Sequence, residues 1–217
     1  MEEAAGGRDG AREGFARIYL PVVRAYLSAR WRDNSLRGDV DDAAQEVFVD
    51  LITPGGALSR VDRDHGDGGV RAFLFGVARN VARRHEERAG RRGRREARLD
   101  TAIEREPAPQ DSPSVAFDKA WAQAIMRAAR SRHARRAAKQ DEQAVERVDL
   151  LRLRFEEGLP IREISARWGA DPAVVHRQYA QARVEFSRAL FDTVALQHGG
   201  EPAAVRRECA RLLSLLG

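Results

Sequence analysis

The sequence predicts an all-α protein: two small helical domains joined by a flexible linker, the C-terminal one containing a helix-turn-helix. Three observations predict it. Apolar residues recur at i, i+3, i+4 and i+7 through most of the chain. One stretch rich in Pro, Ser and acids, DTAIEREPAPQDSPS from Asp100 to Ser114, divides the chain and reads as a linker. The stretch Leu159 to Leu190, LPIREISARWGADPAVVHRQYAQARVEFSRAL, reads as two helices around a tight corner. The expected organisation is an unstructured start (1–11), an N-terminal domain (12–99), a linker (100–113), a C-terminal domain (114–191) and an extension helix (192–217).

Taken in order, Phe15, Ile18, Tyr19, Val22, Val23, Tyr26 and Leu27 form the first apolar stripe, with Trp31 near its end. Pro21 falls inside it, which predicts a kink or break. Arg32 to Gly38 is polar and reads as a loop. In DVDDAAQEVFVDLI (Asp39 to Ile52), Val40, Ala43, Ala44, Val47, Phe48, Leu51 and Ile52 give one buried face. The other side carries Asp41, Asp42, Gln45, Glu46 and Asp50, with no basic residue in the segment. Acids in the first turn suit the helix dipole, but the stripe continues past that turn. It reads either as a solvated face or as a dock for a basic protein partner.

The loop Thr53 to Gly69, with PGG and GDGG, leads to a helix over Val70 to Glu87 that buries Leu74, Val77, Ala78 and Val81. Phe73 and Phe75 cannot both lie on that stripe. From Arg71 to Arg98 there are ten arginines and three glutamates, a local charge of +7 that suits a nucleic-acid backbone, with aromatics available for stacking. Beyond the linker, Asp111 or Ser114 is expected to cap a helix burying Phe117, Trp121, Ala124, Ile125 and Ala128. Ser131 to Gln143 reads as a frayed, Arg- and Ala-rich continuation. Val145, Val148, Leu151 and Phe155 restart the apolar pattern until Gly158 stops it.

At the corner, Ile161, Ile164, Ser165 and Trp168 share a face, Gly169 ends that helix, Asp171 caps the next and Pro172 takes its first position. The second helix is expected to bury Val175, Tyr179, Ala182, Phe186 and Leu190. It leaves His176, Arg177, Gln178, Gln181, Arg183 and Arg188 outward, side chains able to meet base edges and phosphates. After Gly199, Gly200 and Pro202, a last helix places Val205, Cys209, Leu212, Leu213 and Leu216 on one side.

Composition narrows the class. There are 38 Lys+Arg against 33 Asp+Glu, net +5, and the only lysines are Lys119 and Lys139. Arginine is the better partner for phosphates and bases. Cys209 is alone, so a disulfide framework is excluded and a reducing cytosol is the natural setting. No apolar run approaches the roughly 20 residues of a membrane span and the N-terminus is no signal peptide, so a cytoplasmic protein without membrane insertion is expected.

Two stretches separated by the linker resemble one family. DDAAQEVFVDLI followed by RAFLFGVARNVARR resembles the second domain of bacterial sigma factors, and LLRLRFEEGLPIREISARWGADPAVVHRQYAQAR resembles their fourth. The short length and the lack of a sizeable region between them match the extracytoplasmic-function (ECF) group. The resemblance covers roughly Phe15 to Leu190. It implies that Asp41, Asp42, Gln45 and Glu46 dock on core RNA polymerase, whose β′ and β subunits would be partners. It implies that Arg71, Arg79, Asn80, Arg83 and Arg84 meet the minus-ten element of promoter DNA as it melts. It implies that Val174, His176, Arg177, Gln181 and Arg183 read the minus-thirty-five element in the major groove, and it adds an anti-sigma factor or other regulator as a further partner. Three features depart from the family: the long connection Ser131 to Glu146, His176 where a basic residue is more usual, and the tail Phe191 to Gly217.

The competing expectation is a stand-alone helix-turn-helix transcriptional regulator, which would leave the acidic helix without a partner. An enzyme is not expected. The five histidines (His65, His85, His133, His176, His198) lack metal-ligand spacing, and no P-loop, nucleophile elbow or CxxC is present. No catalytic residue, metal ligand or cofactor is therefore assigned.

Overall fold

The structure, a computed structural model, describes residues 2–52, 69–96, 112–198 and 201–216. Most of the 100–113 linker and of the PGG/GDGG loop lies outside them. Every regular element among the described residues is helical. The α-helices are α1 (Glu2–Arg30), α2 (Val40–Ile52), α3 (Gly69–Glu96), α4 (Pro113–Ala137), α5 (Glu142–Phe155), α6 (Ile161–Trp168), α7 (Pro172–His198) and α8 (Pro202–Ser214), with a 3-10 turn over Ser35–Asp39.

Several boundaries differ from expectation for identifiable reasons. The backbone of α1 is helical from Glu2, well ahead of the apolar stripe, and it runs unbroken through Pro21. The stretch read as a loop after Trp31 contains the 3-10 turn. Asn34 caps it by accepting from Leu36 N (2.7 Å), and Leu36 is buried. The cap of α4 is Ser112, whose Oγ accepts from Val115 N (3.3 Å), so Pro113 takes the first helical position and Ser114 is not the cap, while Asp111 lies outside the described residues. The Arg- and Ala-rich stretch does not fray. α4 continues to Ala137, and Asp141 then caps α5 by accepting from Ala144 N (2.7 Å). α7 carries on past Leu190 to His198, burying Ala189, Thr193 and Val194. In α8, Val205 and Leu212 are buried, whereas Leu213, and Leu216 just beyond the helix, are exposed rather than on the packed side.

Contacts divide the chain into two compact units. One comprises Met1–Ala124 with Gln197–Gly199 and Leu212–Gly217; the other comprises Ile125–Leu196 with Gly200–Arg211. The division falls inside α4.

In the first unit, α1, α2 and α3 pack on one another around Val22, Val23, Leu27, Ala43, Ala44, Val47, Leu51, Leu74, Ala78 and Val81. Val47 and Phe48 are buried, as helical spacing predicted. An aromatic cluster completes this core: Tyr19 stacks on Trp121 (4.9 Å between centroids), and Phe75 meets both Tyr26 (5.3 Å) and Phe117 (5.1 Å) edge-on. Burial pushes the Tyr19 phenol well above its ordinary value; Gln197 approaches the hydroxyl, which is buried without a well-formed hydrogen bond. Trp31 and Arg30 both donate to Glu86, Trp31 Nε1 at 2.9 Å and Arg30 in a fork at 2.6 and 2.8 Å.

In the second unit, Leu150, Leu153, Ile164 and Val175 form a core on which Leu159, Ile161, Trp168, Ala170 and Tyr179 pack. A buried ionic group stands beside it. Arg147 donates to both Glu185 oxygens (2.9–3.0 Å) and weakly to Gln178 (3.4 Å), and buried His133 lies 3.5 Å from the same carboxylate.

Candidate functional site

The acidic helix presents two faces, and they do different things. Asp41, Asp42 and Gln45 are exposed, and Val49 is 62% exposed beside them. Asp41 is held by Arg24 (2.9 Å). Asp42 takes no ion pair among the described residues. Glu46 and Asp50, four residues apart on the neighbouring face, turn instead to α3. Arg84 Nη2 donates to Glu46 (2.9 Å) and to Asp50 (2.6 Å), His85 Nε2 lies 2.7 Å from Glu46, and Arg88 is at 3.4 Å. Partial burial pushes the Glu46 carboxyl up, but the hydrogen bond from His85 and the charges of Arg84 and Arg88 hold it, on balance, below the ordinary carboxylate value.

The residues expected to meet melting DNA are therefore not equally free. Arg71 forms a forked pair with Asp118 of α4, within the same unit as the aromatic cluster, and acts there as a fastener between helices. Arg84 is engaged by α2. Arg83 is exposed and, among the described residues, makes only an i,i+4 pair with Glu87 (3.3 Å). Arg79 and Asn80 are exposed and take no ion pair or side-chain hydrogen bond among the described residues. Phe75 belongs to the aromatic cluster and is not available for stacking on bases.

The corner between α6 and α7 follows local chemistry closely. Gly169 has φ +61°, the left-handed conformation that lets a helix stop, and Ala170 N returns to Ser165 O (3.0 Å). Asp171 then accepts from Ala173 N (2.7 Å), capping α7, whose first residue is Pro172. Val175, Ala182 and Leu190 are buried and Tyr179 and Phe186 half-buried, which leaves Val174, His176 and Arg177 outward on the first turns. His176 and Arg177 make no hydrogen bond or ion pair among the described residues. Gln181, also exposed, donates to Glu185 (3.1 Å), and Arg183 lies over the Tyr179 ring (5.8 Å to its centroid). Gln178, expected outward, is half-buried against Arg147.

Sequence reading missed both ionic groups, and each left a signal. Glu46/Asp50 and Arg84/Arg88 share a spacing of four, so an acidic and a basic ridge of equal pitch were present on successive helices. Arg147 occupies a core register, between buried Ala144 and Leu150.

A cleft between the ends of α4 and α7 is lined by His133, Arg136, Gln140, Glu185, Arg188 and Asp192. Within it Arg136 pairs with Asp192 (2.7 Å), and Glu185 is held by the neighbouring Arg147. Among the described residues no group of His, Cys, Asp and Glu could hold a metal ion, and no helix is long and apolar enough to cross a membrane. No protein-family model matches the chain, and neither curated proteins nor solved structures provide a match.

Proposed function

We propose that this chain is an ECF-type sigma factor, which binds core RNA polymerase and directs promoter recognition and strand opening while the polymerase does the chemistry. The observation that carries the reading is the α6–α7 corner. A short helix ends at a left-handed glycine, and a capped helix follows with Val174, His176 and Arg177 unengaged on its first turns. On this reading it is a helix-turn-helix whose second helix enters the major groove and reads the minus-thirty-five element. On this reading α1–α3 would belong to the factor's second domain and α5–α7 to its fourth. Arg79, Asn80 and Arg83 would be the first minus-ten contacts, and the exposed edge of α2 (Asp42, Gln45 and Val49) would face the β′ subunit.

One observation favours a stand-alone regulator. Glu46 and Asp50 already have cationic partners inside the chain, so part of the acidic stripe is explained without a polymerase. The free acid Asp42 separates the readings. In a pull-down and run-off assay with purified bacterial core polymerase, wild type should bind core and initiate transcripts. Asp42→Arg should weaken core binding at least ~tenfold, because it sets like charges against each other, while duplex binding survives. Duplex binding by both proteins with no retention of core would replace the sigma reading with the stand-alone regulator.

A further inference from the structure

Residues assigned to two different partners are, in the free chain, one another's partners. Glu46 stands between two arginines of α3, Arg84 and Arg88, with the His85 ring 2.7 Å away, and Asp50 shares Arg84. To an arginine, a carboxylate is close to a phosphate in charge, hardness and fork geometry. We propose that Glu46 and Asp50 are an internal stand-in for nucleic-acid phosphate: they occupy Arg84 and Arg88, and a nucleic acid gains these arginines only by displacing them. The inference rests on the DNA-binding reading of α3.

Exposure decides whether displacement is feasible. The Arg84 and Glu46 side chains keep 43% and 27% of their surface in water. Such pairs hold side chains in place without holding them tightly. A pair as buried as Arg147 could not exchange in this way. Arg83 adjoins Arg84 and Arg79 lies five residues before it on the same helix; neither pairs with α2 among the described residues, and together they give an incoming backbone its first hold. Displacement also leaves Glu46 and Asp50 without cations beside Asp42. A basic protein partner on α2 and a nucleic acid on α3 therefore strengthen each other's binding, each by the same factor.

The test uses the full chain alone, with a labelled mixed-sequence oligonucleotide as single strand and as duplex, titrated by anisotropy over a salt series. Glu46→Gln/Asp50→Asn should bind roughly three- to tenfold tighter than wild type, with the salt slope steeper by about 0.7–0.9 per arginine released. Glu13→Gln/Asp33→Asn changes the net charge equally at exposed acids outside α2 and α3, and should stay near wild type. Adding Arg84→Ala/Arg88→Ala to the first variant should abolish the gain. Glu46→Gln alone keeps an acceptor for His85 and should give part of the gain in a chain with the wild-type melting profile.

Equal gains in both charge variants, or a gain that survives loss of the two arginines, would overturn the inference in favour of general electrostatics. Wild-type affinity in Glu46→Gln/Asp50→Asn would overturn it while leaving α3 a DNA-binding helix. No binding by any of these proteins would remove the DNA-binding reading and the inference together.

Discussion

Glu185 is the residue whose loss the second unit should feel most. Its carboxylate receives Arg147 on both oxygens and Gln181 on one, with His133 nearby, and Arg147 is almost fully buried. Burial by itself raises the Glu185 pKa, but Arg147, Gln181 and His133 outweigh it and leave the group below its ordinary value. Glu185→Ala leaves a buried guanidinium with only a weak amide contact. The expected cost is about 2–3 kcal/mol, below the full ~3–5 for breaking a buried pair because Glu185 keeps a quarter of its surface in water. Urea unfolding of wild type and variant at neutral pH measures it, and a loss under ~0.5 kcal/mol would mean Arg147 finds water instead. The sign of the pH dependence follows. A carboxyl with a depressed folded-state pKa stabilises fully above its ordinary value and loses that stabilisation as pH falls through the depressed one. Glu46 and Glu86 are shifted the same way. The chain should therefore hold its stability down to roughly pH 4.5 and lose it below. Glu185→Ala should lose less on acidification, so the gap to wild type narrows as pH falls.

At the scale of the element, one substitution tests two kinds of glycine. Gly76 lies inside α3 with nothing within 4 Å of where a Cβ would stand, so Gly76→Ala should stabilise by about 0.5–1 kcal/mol, through the entropy lost from the unfolded chain. Gly169 has the same open space but φ +61°, so Gly169→Ala should cost about 1–2 kcal/mol in backbone strain alone. Thermal melts of the two variants should move in opposite directions, and a common direction would sink the argument. The same contrast explains what was legible in the sequence. The Gly169–Asp171–Pro172 corner was readable because each step is set by local backbone chemistry. The faces of α2 were readable because helical spacing sorts apolar from polar. Which polar face meets which was not, since spacing within one helix leaves its neighbour undetermined. That α3 holds Glu46 and Asp118 holds Arg71 was therefore not readable from the sequence. The cap of α4 was missed for a smaller reason: Ser112, Ser114 and Asp111 compete within four residues, and the rigid Pro113 decides among them.

For the molecule as a whole, the question is where one folding unit ends. Composition places the division in the Pro- and Ser-rich stretch before residue 114, because such sequences make linkers. Contacts place it inside α4, between Ala124 and Ile125. The reason lies in two large rings that composition cannot assign: Phe117 meets Tyr26 and Phe75, and Trp121 stacks on Tyr19, so the start of α4 completes the core of α1 and α3. Arg71 with Asp118 fastens the same junction. Phe117 is wholly buried, and Phe117→Ala should cost about 3–5 kcal/mol. That cost should be local. In native-state hydrogen exchange, amides of α1 and α3 should lose protection in the variant, while those of α5 and α6, whose core is Leu150, Leu153 and Ile164, should keep it. If α5 and α6 lost protection and α1 and α3 did not, α4 would belong wholly to the second unit and the linker would mark the division after all. Equal loss throughout would mean the two units unfold as one. Loss confined to α1, α3 and the start of α4 is what the aromatic packing requires, because removing Phe117 takes ring contacts from Tyr26 and Phe75 and none from the α5–α6 core.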